Sequence, residues 1–116
     1  MKVIISGGRE FENYLLLKLK CDKILHGQTD IQIVSGGSRG ADLLGERYAR
    51  EKHYIVKRFE ADWDKEGLAA GPIRNEKMAK YADCLIAFWD GKSKGIKDMI
   101  NKATANNLNV RIIKYA

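Results

Sequence analysis

Residues 84–95 read Cys84-Leu85-Ile86-Ala87-Phe88-Trp89-Asp90-Gly91-Lys92-Ser93-Lys94-Gly95. The first six are almost continuously apolar, which is typical of a strand that is covered on both faces of a parallel sheet. The remainder is rich in glycine, serine and lysine, which is typical of a connecting loop. The stretch therefore predicts a buried central strand whose carboxyl end carries a glycine-rich loop.

The same order of strand, loop and helix recurs along the chain. Apolar runs predict four further strands at Val3–Ile5, Ile31–Val34, Tyr54–Phe59 and Val110–Ile113. Apolar residues at helical spacing predict four helices between the strands, the third beginning at Gly71-Pro72. Alternating strands and helices imply a parallel sheet with right-handed crossovers. We expect one Rossmann-like α/β domain over residues 1–116, with a five-stranded sheet in the order 3-2-1-4-5 and helices on both faces.

The amino-acid composition is that of a single-domain globular protein. The chain has 116 residues, 45% of them hydrophobic and 31% charged, which suits one domain with one core. No apolar run approaches the roughly 20 residues that span a bilayer, so no membrane contact is expected. Cys21 and Cys84 lie in apolar periodic segments without metal-ligand spacing. We predict buried free thiols, a cytoplasmic protein, and neither a metal site nor a cofactor.

Four loops that follow strands combine glycine with a cation. In an open parallel sheet these loops emerge at the carboxyl edge, where ligands bind near the switch in strand order. We predict a phosphate-binding site from these residues: Ser6, Gly7, Gly8 and Arg9 after the first strand; Ser35, Gly36, Gly37, Ser38, Arg39, Gly40 and Asp42 after the second; Asp62, Trp63, Gly71, Arg74 and Asn75 after the third; Asp90, Gly91, Ser93, Lys94 and Gly95 after the fourth.

The chemistry of these loops suits an anion. Glycine lets backbone N–H groups approach a phosphate, and a helix N-terminus presents unpaired N–H groups with a partial positive charge. Arginine adds a fork that matches phosphate oxygens. Taken singly, each glycine also fits an ordinary turn, and Ser35 or Ser38 fits a helix cap. The loops contain no GxGxxG, and Ile86 stands where a Walker-type loop needs glycine.

Four motifs resemble the YspA-type, cpYpsA-related branch of the SLOG superfamily. They are Val34 to Asp42, Ala61-Asp62-Trp63, Ala70 to Met78, and Ala87 to Gly95. The superfamily also includes the Lonely Guy phosphoribohydrolases, molybdenum-cofactor carrier proteins and DNA-processing protein A. The resemblance implies a Rossmann-like sheet that binds nucleotides or nucleotide-derived signals, and such domains occur in bacterial and phage conflict systems.

Part of the phosphoribohydrolase sequence pattern is found in this chain. Their pattern has an arginine on the third helix, and Arg74 is similarly placed. It also has a glycine-rich turn followed by threonine and an acid. Asp90 to Gly95 resembles that turn, and Asp98 is the nearest acid. Ile96 stands where threonine is expected, and aspartate is shorter than glutamate. If the chain is an enzyme, Arg74 and Asp98 are the catalytic candidates.

Three functions remain open from the sequence. The first is a binding module for a nucleotide-derived small molecule, with Trp63 stacking on the base and Asp42 or Asp62 accepting bonds from a ribose hydroxyl. The second is cleavage of the N-glycosidic bond of a nucleoside monophosphate. The third is nucleic-acid binding, which the net charge of +6 and the distant resemblance to DNA-processing protein A support, although the chain has no basic run interleaved with aromatics.

Self-association of two copies of the chain is a further expectation. Met78 and Tyr81 lie on the predicted third helix, where they would form an apolar patch between two copies of the chain.

Overall fold

The structure is a computed structural model that describes residues 1–115. Its elements, in chain order, are β1 (Lys2–Gly7), α1 (Tyr14–Ile24), β2 (Gln32–Ser35), α2 (Ala41–Lys52), β3 (Ile55–Arg58), α3 (Trp63–Glu66), a 3-10 turn (Gly67–Ala69), α4 (Ala70–Tyr81), β4 (Cys84–Trp89), α5 (Lys94–Ala105) and β5 (Asn109–Lys114). No helix within this range is long and apolar enough to cross a membrane.

The five strands form one parallel sheet in the order β3-β2-β1-β4-β5, as the sequence predicts. β1 and β4 are the central pair, with Val3 opposite Cys84 and Gly7 opposite Phe88. Residues 84–88 of β4 are all buried, which confirms the expectation from their continuous apolar run. All strands therefore point their carboxyl ends at one edge of the sheet.

Alternate residues of the central strands point to opposite faces of the sheet and pack into two separate hydrophobic cores. On one face Ile5 and Ile86 pack with Leu17 of α1 and Tyr48 of α2. On the other face Ile4 and Leu85 pack with residues of the two later helices, Met78 and Met99. Helices thus cover both faces of the sheet, as expected. Cys21 and Cys84 are buried and free, which also confirms the prediction made for them.

Two local predictions are wrong. The segment that contains Trp63 was expected to be a loop, but it forms the short helix α3, capped by the Asp62 side chain, which accepts a hydrogen bond from the Lys65 N–H at 3.1 Å. Met78 was expected on a surface patch, but it is 1% exposed because α4 turns it into the core. Tyr81 is half-buried, packs on Phe59, and donates a hydrogen bond to Gln32. The predicted apolar patch of Met78 and Tyr81 is therefore not on the surface. Self-association itself stays a prediction.

Close packing of α2 on the sheet yields a stability prediction. A Cβ at Gly45 would lie 2.8 Å from Cγ2 of Ile5, whereas a Cβ at Gly95 of α5 meets nothing within 4 Å. Helix propensity favours alanine by up to about 1 kcal/mol at either site, but overpacking a core costs about 1–3 kcal/mol. We expect Gly45→Ala to destabilise the fold and Gly95→Ala to leave it unchanged or stabilise it, as measured by urea unfolding. Equal effects of the two substitutions would contradict this account of the packing.

Candidate functional site

A cleft opens at the carboxyl edge of the sheet, between the loops that follow β1 and β4. Its larger part, the first cavity, has a volume of about 520 Å³. It is lined by most of the predicted site residues: Ser6, Gly7, Gly8, Arg9, Ser38, Asp42, Trp63, Gly71, Arg74, Asn75, Asp90, Ser93, Lys94, Gly95 and Asp98. The second cavity, of about 470 Å³, adjoins it and adds Gly36, Gly37 and Arg39. The cleft thus brings together residues from four separate loops.

Four predicted site residues lie outside both cavities. Asp62 caps α3, and Gly91 belongs to the turn that the Asp90 side chain closes. Gly40 adopts a φ of +83°, and a Cβ there would lie 2.2 Å from the Gly8 carbonyl oxygen. Ser35 is fully buried. These four residues therefore shape the loops. The sequence analysis named turns and caps as the other possible roles of the glycines and serines among them.

Ser35 belongs to a buried polar group beneath the loop of residues 36–40. Its hydroxyl accepts the Gly37 N–H at 3.0 Å and donates to Glu46 at 2.7 Å. Glu46 also accepts two hydrogen bonds from Arg58, at 2.9 and 2.6 Å. Burial raises the pKa of Glu46, but the hydrogen bonds from Arg58 and Ser35 outweigh burial and hold that pKa below its usual value. The glycine loop therefore rests on an ionised, fully bonded carboxylate.

Several cavity residues were not predicted from the sequence. Glu10, Pro72, Ile96 and Tyr115 line the first cavity, and Glu60 and Ala61 line the second. Tyr115 follows β5, where no glycine-rich loop or motif draws attention to it. Its ring packs against Phe11, at 4.7 Å between centroids, and so approaches the β1 loop. Tertiary packing alone brings it to the cleft.

Four backbone N–H groups of the loops bond to side chains of the protein. Asp42 accepts the Ser38 N–H at 3.4 Å, and Asp90 accepts the N–H groups of Lys92 and Ser93, each at 2.8 Å. Together with the bond from Gly37 to Ser35, these contacts use N–H groups that the sequence assigned to phosphate. These four N–H groups therefore have partners within the protein, and the phosphate cradle predicted for the loops stays a prediction. Side chains in the cleft carry further donors that suit an anion.

Arg74 is the main such side chain, since it is half-buried and lines both cavities. Its Nη1 donates to the Gly36 carbonyl at 2.8 Å and its Nε donates to Asn75 at 3.1 Å. These bonds leave more than half of the five guanidinium N–H donors free. Arg74 forms no ion pair within 4 Å among residues 1–115, and burial lowers its pKa from the ordinary value. Glu76 does not neutralise it, because that side chain faces Lys80.

A hydrogen-bonded chain links Arg74 to Asp98. The Asn75 side chain accepts from Arg74 and donates to Asp98 at 2.9 Å. Asp98 also pairs with Lys102 at 2.6 Å. Arg74 and Asp98, the catalytic candidates from the sequence analysis, therefore line the same cavity, and the buried side-chain amide of Asn75 connects them. The Asp98 carboxylate is held in one orientation by donors on both oxygens.

Asp42 is the most buried carboxylate of the first cavity, at 4% exposure. Burial raises its pKa to about 6, even though the Arg74 charge and hydrogen bonds from Ser38, Gly7 and Ser6 act in the opposite direction. Near pH 6 the side chain is therefore poised between accepting hydrogen bonds and donating one, and at neutral pH the ionised, accepting form predominates. A carboxyl group in that state suits contact with a sugar hydroxyl, which both donates and accepts.

Trp63 stands at the rim that the two cavities share. Its ring is 48% exposed, and its Cη2 lies 3.4 Å from the position of a Cβ on Gly71. The edge of the indole thus approaches the start of α4, and the residue lines both cavities. An aromatic ring in this setting offers a flat apolar surface to a planar group.

A five-stranded parallel sheet with a cleft at the switch in strand order defines a Rossmann-like α/β domain. The sequence pattern of the YspA, cpYpsA-related SLOG family matches residues 1–65. Gene 61 protein of Mycobacterium phage D29 is 30% identical over 109 residues, which cover 88% of this chain and 87% of that protein. The chain belongs to the YspA, cpYpsA-related SLOG family. No solved structure matches it.

The environment of Asp42 predicts a distinctive pH dependence of stability. The folded state binds the Asp42 proton more tightly than the unfolded state does, since burial raises the folded pKa from 3.8 to about 6. The wild type should therefore gain stability relative to Asp42→Asn as the pH falls from 7 to 4, by up to roughly 3 kcal/mol. Urea unfolding of both proteins across this range measures the difference. A difference that stays constant with pH would contradict the raised pKa.

Proposed function

We propose that this protein binds a nucleotide-derived, phosphate-bearing small molecule in the cleft. The observation that carries the proposal is Arg74, a half-buried guanidinium with free donors and no ion pair among residues 1–115. The charge of Asp42 acts on Arg74 from beyond ion-pair distance, but the cost of burial outweighs it, so a directly bonded negative charge would stabilise the guanidinium further. A phosphate group supplies that charge and matches the planar fork of arginine.

Other groups around Arg74 support the same ligand. Arg9 lines both cavities and, within residues 1–115, forms neither a side-chain hydrogen bond nor an ion pair. Asp42 serves a ribose hydroxyl, and Trp63 stacks on a base. A volume of about 520 Å³ lies within the usual range for small-molecule sites. Membership of the SLOG family supports a nucleotide-related role.

Replacing Arg74 tests the proposal directly. We expect Arg74→Ala to weaken binding of a nucleoside phosphate by roughly 1.5–3 kcal/mol, about 10- to 150-fold, because a charge-assisted hydrogen bond is lost. Isothermal titration calorimetry measures the effect. Arg50→Ala is the matched control, since Arg50 is exposed near the C-terminal end of α2, at the opposite edge of the sheet. Equal affinity of the Arg74→Ala variant and wild type would refute the assignment.

A second candidate function is hydrolysis of an N-glycosidic bond. The observation in its favour is Asp98, which lines the first cavity and is oriented by Asn75 and Lys102. A carboxylate beside the sugar C1′ stabilises the positive charge that develops as the bond breaks, and it orients the attacking water. Arg74 would position the phosphate at the other end of the same hydrogen-bonded chain.

An Asp98→Asn variant separates binding from cleavage. We expect wild type and variant to bind a nucleoside monophosphate within about threefold of each other, because the amide retains an oxygen that accepts the Asn75 bond. We also expect neither protein to release free base, as followed by chromatography of the reaction mixture. Release of base by wild type and its loss in the variant would establish the hydrolase instead.

A further inference from the structure

The cleft has two cavities of unequal charge that meet at one junction. Arg9, Ser38, Trp63 and Arg74 border both cavities. A ligand that binds the junction arginines therefore has access to the two cavities at once. The composition of each cavity indicates which part of a ligand it would accept.

The first cavity is poorly suited to a chain of phosphates. Its three cations, Arg9, Arg74 and Lys94, face four carboxylates: Glu10, Asp42, Asp90 and Asp98. Negative charge beyond one phosphate would meet these acids at close range and be repelled. The same acids accept hydrogen bonds from hydroxyl and amino groups, so this cavity suits a nucleoside.

The second cavity has the opposite balance. Arg39, which pairs with Glu10 of the first cavity, joins the two junction arginines there. The sole carboxylate among the lining residues of the second cavity is Glu60. Glu60 is 74% exposed and already pairs with Arg58 at 3.5 Å. Gly36 and Gly37 also line this cavity, and the side chains of Arg74 and Arg58 pack closely against them. The net positive charge of the cavity suits a compact anion.

We propose that the ligand carries at least two phosphates, with its nucleoside in the first cavity and its terminal phosphate in the second. The junction arginines, Arg9 and Arg74, hold the phosphate next to the ribose, and Arg39 contacts the phosphate beyond it. This inference rests on the proposed function and makes it more specific, because a monophosphate would leave the second cavity without an anion.

The test compares ribonucleoside 5′-monophosphates with the matching 5′-diphosphates, by calorimetry on the intact protein. The expected result is a diphosphate that binds at least about tenfold more tightly than its monophosphate, the worth of one additional charge-assisted contact. Equal affinities for the two would overturn this inference while leaving the proposed function in place. Absence of binding by every nucleotide would overturn both.

Two variants locate the additional contact. Arg39→Ala removes a cation that lines the second cavity alone, and Ala61→Glu introduces a negative charge there while leaving the Arg39–Glu10 ion pair in place. Each should abolish most of the preference for the diphosphate, and Ala61→Glu, which keeps Glu10 paired, should leave monophosphate affinity within about threefold of wild type. Ala69→Glu is the control, since Ala69 is exposed and lines neither cavity. A preference that survives Arg39→Ala would overturn the placement, even if the Ala61→Glu protein failed to fold.

Discussion

Parallel pairing of β1 with β4 is the constraint on which the rest of the structure depends. The two strands are neighbours in the sheet although more than 75 residues separate Val3 from Cys84 along the chain. Because the strand order reverses here, the loops after β1 and β4 diverge to opposite faces of the sheet and leave a cleft between them. The continuous apolar character of β4 makes this central position favourable, since both of its faces are covered.

The charges that the cleft presents depend on which side chains bond to the backbone of its loops. Asp42 and Asp90 bond to backbone N–H groups at the starts of α2 and α5, where an external anion would otherwise bind. The protein thus satisfies these donors with its own carboxylates. Arg9, Arg74 and Lys94 are left as cations that line the first cavity without an ion pair in the described residues, and α4 holds Arg74 among them in a half-buried position.

Rigidity of the site has an identifiable source. Below the glycine loop, Glu46 bonds to Ser35 and Arg58, and Ser35 in turn bonds to Gly37. Above it, Arg74 bonds to the Gly36 carbonyl and continues through Asn75 to Asp98. No buried side-chain polar atom in the described part of the chain lacks a hydrogen-bond partner. A loop held on both sides in this way presents its surface without prior rearrangement, which favours binding.

The sequence by itself determined the sheet, its strand order and the edge at which the cleft lies, because periodicity and right-handed crossovers leave few arrangements for alternating strands and helices. It also singled out the glycine loops through their position after strands, and the resemblance to the phosphoribohydrolases added Arg74 and Asp98 as catalytic candidates. Only the tertiary structure decided which donors remain free. Gly37 bonds to Ser35 and Met78 faces the core, whereas Tyr115 reaches the cleft from the far end of the chain. These outcomes depend on contacts between residues distant in sequence, which local patterns do not encode.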